Sequence, residues 1–377
     1  MSGGPRVGVR PGAWAWLVLF ATACSGPVER PAWAGWEREP LQAAEFFQLW
    51  KRGSDRLLLT FGPGGTADTT GKFLLVPGKA AGAVPLGASV LPAPLQRVAL
   101  FSTTHASFLS ALGRADAVVG CAWTDRLRDP QVAALARSGR IAEIGTAQGI
   151  DRERMLLLAP EALFTYPYGT EGKDGALGAL PVVPVAEYLE RHPLGRAEWI
   201  RAFGMLLGQE EQARRIFSGI AGRYAAAVAS VPQDTTAPAV FFGSSWKGAW
   251  SVPAGNSYMA QLITDAGGRY LLADRQANGN IDLDLETVLT LGGRAQRWGR
   301  ILELHRPVTR ADVAGDDSRI MALPAFTGLG AFYGNSAESD LFGQAGLEPD
   351  VVLRDLIGIV RPALQGDRPF VYFKPVQ

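Results

Sequence analysis

The stretch that decides the fold is QEEQARRIFSGIAGRYAAAVASV, residues 209–231. Ala213, Ile216, Phe217, Ile220, Tyr224, Ala227 and Val231 recur at steps of three and four, which draws one apolar stripe down the side of a helix. At 1.5 Å per residue that helix is about 34 Å long, enough to run the height of one lobe and join it to another.

Working outward, both flanks alternate short apolar runs with helical stretches. On the N-terminal side, Val98–Phe101 reads as a strand, Thr104–Leu112 as a helix capped by Thr103 or Thr104, and Ala117–Val119 as a strand. Helices over Pro130–Ala136 and Asp151–Leu158 follow, with a strand at Leu163–Thr165. On the C-terminal side the alternation restarts at Ala239–Gly243. It continues through Ser257–Ala266, Tyr270–Leu272, Leu283–Leu291 and Ile301–Leu304, and closes with the helix Asp350–Val360 and the strand Phe370–Phe373. Strands separated by helices predict parallel α/β units on either side of the helix. Before them, EFFQLW and RLLLTF within 45–61 read as two strands around Lys51–Asp55, and Phe73–Val76 as a third.

The first residues carry a different signal. Arg6 and Arg10 precede AWAWLVLFATA, Ala13 to Ala23, and then Cys24. A basic segment followed by about 11 apolar residues is a signal-peptide pattern, too short for a permanent membrane helix. The small residues Ala21, Thr22 and Ala23 before Cys24 resemble the lipobox of bacterial lipoproteins, with Ala21 where Leu is usual. Loss of Arg6 and Arg10 takes the formal charge from +1 to −1, so nothing electrostatic favours nucleic acid. Cys121 is then the remaining cysteine, and its apolar approach, Ala117-Val118-Val119-Gly120, predicts a buried, inert thiol.

Several segments in this order resemble the helical-backbone class of periplasmic binding proteins, which serve iron-siderophore, haem and cobalamin ABC importers. They are RVALFSTTHASFLSALGRADAVVG (97–120), IDRERMLLLAPEALFTY (150–166), EYLERHPLGRAEWIRAFGMLLGQEEQA (187–213), the long helix, and the closing PDVVLRDLIGIVRPAL and FVYFK. The chain departs from the pattern at Glu161, where Asp is usual after Pro160, and at its C-lobe counterpart, Arg294-Ala295-Gln296. The resemblance implies an α/β fold: two Rossmann-like lobes joined by one long backbone helix, with a small N-terminal β extension. The expected divisions are a signal peptide at 1–23, a lipid tether at 24–44, and the β extension with its linker at 45–94. The N-lobe then occupies 95–208, the inter-lobe helix 209–231 and the C-lobe 232–377. The expected protein is a monomer on the periplasmic or cell-surface side, lipid-anchored through Cys24, that hands its ligand to an ABC permease dimer.

Catalytic signatures are missing: there is no GxSxG elbow, P-loop, HExxH or strand-borne GxGxxG. His105, His192 and His305 are scattered and do not form a set for bare zinc, which wants about four donors. No cofactor is expected, and no metal is expected to be held by the protein itself. A ligand that brings its own chelator needs apolar walls and a few donors. Loops at the carboxyl ends of α/β strands supply such walls. Thr104, His105, Trp123, Tyr166, Tyr168, Tyr188, Trp246, Trp250, Arg275 and Tyr333 lie at those exits, and each is a candidate for binding a ferric siderophore or cobalamin. Each aromatic there is open to a second reading, core or rim packing. His105 is read either as a helix-capping or hydrogen-bonded histidine or as an axial haem ligand opposite Tyr166 or Tyr168. The loop of Arg275 and Asn278 is read either as facing an anionic chelate or as plain solvated chain. The resemblance further implies that Glu153 and Glu286, each in the first turn of a helix, meet arginines on the permease. The helix macrodipole alone also favours glutamate there. A haem importer component or a surface lipoprotein with no transport role are the alternative functions.

Overall fold

The structure is a computed structural model. It describes residues 1, 3–4, 35–78, 82–146, 149–166, 178–232, 237–246 and 249–376, with Trp246 described by its backbone alone. Arg6, Arg10, Cys24 and Tyr168, and with them the apolar run of the expected signal peptide and the lipid site, lie outside the described residues. The chain divides after Gly35, and Trp36–Gln377 forms one compact unit.

The N-terminal part of that unit is a five-stranded sheet in chain order: Glu37–Glu39, Phe47–Arg52, Asp55–Phe61, Thr69–Val76 and Ser89–Pro92. Its middle strands bury Phe47, Leu49, Leu57, Leu58 and Leu74 almost completely. The hairpin between its second and third strands turns on Gly53, whose φ of 57° is open to glycine at little steric cost. The first strand lies inside the segment expected as a tether. Its residues pair with the next strand, Glu37 opposite Lys51 and Glu39 opposite Leu49.

Each lobe is a five-stranded sheet. The N-lobe order is Val182–Pro184, Ala162–Thr165, Val98–Leu100, Val118–Cys121 and Ala142–Glu143, parallel throughout. The C-lobe order is Arg269–Tyr270, Ala239–Phe242, Arg297–Leu302, Ala331–Asn335 and Phe373–Pro375, with only the last pair antiparallel. The central C-lobe strand carries Gly299, where a Cβ would stand 2.2 Å from the Phe332 ring and 2.5 Å from that of Phe242. Glycine is what lets both rings pack on the strand. The alternating α/β pattern thus folds as expected, with most boundaries shifted by one or two residues. One cap differs: the turn at Thr103–His105 is capped by Ser102, whose Oγ accepts from the Thr104 amide at 3.4 Å, rather than by a threonine.

The decisive stretch is one unbroken helix, Glu210–Ala229. Six of its residues are buried, Ala213, Phe217, Ile220, Ala221, Tyr224 and Ala227, and five of these belong to the expected stripe. Its first turns are tied to the N-terminal half: Arg56 Nε donates to Glu210 Oε1 at 2.9 Å, and Gln212 Nε2 to the Ala111 carbonyl at 3.2 Å. Its last turns are tied to the C-lobe, by Arg223 Nε to Asp350 Oδ2 at 2.8 Å and the Tyr224 hydroxyl to Asp265 Oδ2 at 2.6 Å. Beside it the helix Pro193–Leu206 is buried on nearly every side, as an element packed between both lobes must be. Among the described residues no helix is long and apolar enough to cross a membrane.

Candidate functional site

In open parallel sheets, ligands bind outside the carboxyl ends of the strands, where strand order reverses. In the C-lobe that point lies between Ala239–Phe242 and Arg297–Leu302. A cavity of about 620 Å³ opens there, between the lobes. Its C-lobe side is formed by Phe242, Gly243 and Ser244 at one strand exit, by Ile301 on the next strand, and by the segments 256–259 and 277–280. Its N-lobe side is Tyr188 through Arg191, which follow the strand Val182–Pro184. The volume falls within the 300–1,000 Å³ usual for small-molecule sites.

The walls mix aromatic faces with neutral polar groups. Tyr188, Phe242, Tyr258 and Phe342 supply rings, and Ser244, Ser251, Asn256, Asn278 and Asn280 supply hydroxyls and carboxamides. Tyr258 stands just after Ser257, whose Oγ caps its helix by accepting from the Ala260 amide. The Arg196 guanidinium lies 4.5 Å above the Tyr258 ring, a cation–π contact from the buried helix to the C-lobe. Among the described residues no group of three or more His, Cys, Asp or Glu side chains is placed to hold a metal ion. Such a wall suits a large, partly apolar molecule held by stacking and hydrogen bonds, without covalent chemistry.

The family description "periplasmic binding protein" matches residues 98–298, which run through the N-lobe and the inter-lobe helix into the first part of the C-lobe. The chain belongs to the periplasmic binding protein family. An uncharacterized lipoprotein of Methanocaldococcus jannaschii is 26% identical over 332 residues, covering 81% of this chain and 77% of the relative. A periplasmic heme binding protein from Pseudomonas aeruginosa superposes with a TM-score of 0.59 at 16% identity, over 75% of this chain and 98% of that one. A triscatecholate siderophore binding protein from Bacillus subtilis, complexed with ferri-bacillibactin, gives a TM-score of 0.56 at 12% identity, over 72% and 94%. At these identities the two solved structures speak for the two-lobed fold.

Of the ten candidate ligand residues, the structure sets Tyr188 on the cavity wall. Trp123 and Tyr166 come together elsewhere, at the N-lobe strand exits, where their rings lie 5.0 and 6.2 Å from that of Phe101. Trp123 adopts φ 50°, rare for a side chain of its size, and Glu143 accepts from its amide at 2.9 Å. Four candidates lie away from this cavity. His105 is fully buried in the N-lobe, its ring 6.0 Å from Phe203 and its Nε2 3.8 Å from Glu187 Oε2, so it offers no surface to a ligand. Trp250 is 3% exposed and packs edge-on against Trp298 and Phe241 in the C-lobe core. Tyr333 lines a separate, open groove with His305, Arg306 and Lys374. Arg275 is exposed beyond the cavity, although its loop neighbours Ala277 to Asn280 form part of the wall. Thr104 donates from Oγ1 to Glu187 Oε1 at 3.0 Å. Burial alone would raise the Glu187 carboxyl. The facing His105, the Arg196 guanidinium and the Thr104 hydroxyl outweigh it, and the group sits below its ordinary range. Trp246 lies in the strand Ser244–Trp246.

Glu153 and Glu286 occupy matching places. Each follows an aspartate cap, Asp151 accepting from the Arg154 amide and Asp284 from the Thr287 amide, in the first turn of its helix. Both are exposed, and Glu286 Oε1 accepts from Arg319 Nη1 at 3.1 Å. Leu156 and Leu157, on the same short helix as Glu153, are 77% and 86% exposed.

Sequence reasoning missed part of the cavity: Phe46 and Pro63 from the N-terminal sheet, Tyr258 and Phe342. Phe342, an isolated aromatic in the polar run SDLFGQ and 53% exposed, was the one carrying a local signal.

Proposed function

We propose that this binding protein captures a bulky metal chelate, a ferric siderophore or a cobalamin, in the inter-lobe cavity and delivers it to an ABC importer. The 620 Å³ cavity, walled by aromatic and neutral polar side chains with Glu190 and Arg191 at one side, carries the reading. It is open without any rearrangement of the lobes, and a chelate brings its own metal ligands. Tyr188, Tyr258 and Phe242 stack against the chelate in this reading, and the Ser and Asn side chains select it. Trp123 and Tyr166, braced by Phe101, supply a further aromatic face at the N-lobe exits.

Delivery rests on Glu153 and Glu286, which meet cations on the permease, one from each lobe. The exposed Leu156 and Leu157 beside Glu153 support a contact face there, since adjacent, largely exposed leucines mark interaction surfaces. A lipid on Cys24 would hold the protein at the membrane and raise its local concentration at the permease; the lipoprotein description of the archaeal relative supports this.

Native mass spectrometry with visible absorption, on protein purified from its source, tests the reading. A co-purified siderophore or cobalamin upholds it. A Soret band identifies haem instead, and no bound species combined with no binding of any added chelate overturns it.

A further inference from the structure

The N-terminal sheet stands before the residues matched to the family, yet it reaches the cavity through Phe46 and Pro63. Its approach is built with unusual firmness. Glu198, fully buried on the central helix, accepts from the amides of Gln42, Ala43 and Ala44 at 2.8–3.0 Å. Glu190, 1% exposed, accepts from the amides of Glu45 and Phe46 at 2.8 and 3.1 Å and from Trp199 Nε1 at 2.9 Å. Two buried carboxyl groups thus fix five consecutive backbone amides at the edge of the cavity. A second hollow of about 470 Å³ lies on the far side of this edge. It shares Phe46, Pro63 and Arg191 with the main cavity, so these three residues form the rim between the two. Its lining is polar and carries two cations against one anion: Arg38, Arg191 and Glu45. Arg191 Nη1 is 3.4 Å from Glu45 Oε2, while Arg38 makes no ion pair among the described residues.

We propose that this annex is a subsite for a pendant arm of the ligand, one that carries a carboxylate or phosphate and is drawn in by Arg38 and Arg191. The core of the chelate sits between the lobes and the arm crosses Phe46 and Pro63 onto the N-terminal sheet. The assignment rests on the reading of the inter-lobe cavity as the chelate site.

Matched pairs of probes that differ in an acidic arm test it by titration calorimetry on the full chain. The pairs are cobalamin and cobinamide, N-succinyl-ferrioxamine B and ferrioxamine B, and haem and its dimethyl ester. For whichever pair binds, the wild-type chain should prefer the arm-bearing member by about tenfold, a preference that shrinks at high salt. Arg38→Glu, an exposed strand position, should abolish the preference and leave the Kd of the armless member unchanged. Equal wild-type affinities within the pair, or equal weakening of both members by Arg38→Glu, would overturn the subsite while the chelate reading stands. Failure of all six probes to bind overturns the chelate reading, and the subsite with it.

Discussion

Removing the Glu198 carboxylate should loosen residues 42–46, where the N-terminal sheet joins the body, without unfolding the lobes. The side chain is fully buried and accepts from three successive backbone amides and from Arg201 Nη1 at 3.1 Å. Hydrogen bonds to a charged group contribute about 1.5–3 kcal/mol each, and they do not add when they share one acceptor. Glu198→Ala leaves those donors facing a void, and loss of one partner from a buried charged network costs about 3–5 kcal/mol. Arg201 also reaches Glu39 and the Pro40 carbonyl, so part of the attachment survives, which puts the local loss near the lower figure. About 3 kcal/mol corresponds to roughly a hundredfold faster hydrogen exchange for the amides of residues 42–46. Exchange in Glu210–Ala229 should be unchanged. Glu198→Gln, which keeps one acceptor oxygen, should fall between wild type and alanine. A rise below about threefold at 42–46 in the alanine variant would refute the reasoning, because it would mean that water replaces the carboxylate at no loss.

Burial pushes the Glu190 carboxyl up to about 7 against the pull of its two amide donors and the Trp199 indole. The folded state therefore holds that proton where the unfolded chain has lost it. Its contribution is complete below about 4.5 and is lost as pH rises toward 7. Urea unfolding followed across that range should show stability falling with pH, and Glu190→Gln should flatten the slope; an unchanged slope would refute the shift. Burial, followed by the nearby Glu143 carboxylate, pushes the Cys121 thiol up to about 12. Iodoacetamide at pH 8 should leave it unmodified in the folded chain and label it fully in denaturant. Glu153→Lys with Glu286→Lys should abolish uptake in cells while changing chelate Kd by less than about twofold; retained uptake would remove the docking assignment.

The parts of this fold that were legible are those where one periodicity met one burial direction. The stripe of Glu210–Ala229 is an example, as are the acidic first turns of the helices that carry Glu153 and Glu286, although Asp151 and Asp284 cap those helices rather than begin them. The candidate site was harder to read. An aromatic beyond a strand can turn to the cleft or into the lobe, and Trp250 turned inward because 249–253 is itself a strand. It lies in a small antiparallel sheet with Ser244–Trp246 and Asn280–Leu283 that no clear alternation announces. His105 went inside because Glu187, remote in sequence, waits there to face it. Glu37–Glu39 has no apolar face, so nothing in its three charged or half-buried residues marked it as a strand. The share of Phe46 and Pro63 in the cavity depends on Glu190 and Glu198 gripping the backbone, a partnership between distant segments that periodicity does not encode.

The helix Glu210–Ala229, fastened at one end to the N-terminal half and at the other to the C-lobe, limits what binding can do mechanically. Halves tied to one shared helix should close on cargo only modestly, so the fit of surfaces already in place should set how long the cargo stays. Unloading then becomes a task for the transporter, which has to bend the strut or twist the halves about it. The receptor acts less as a jaw than as a mould that its recipient must pry apart.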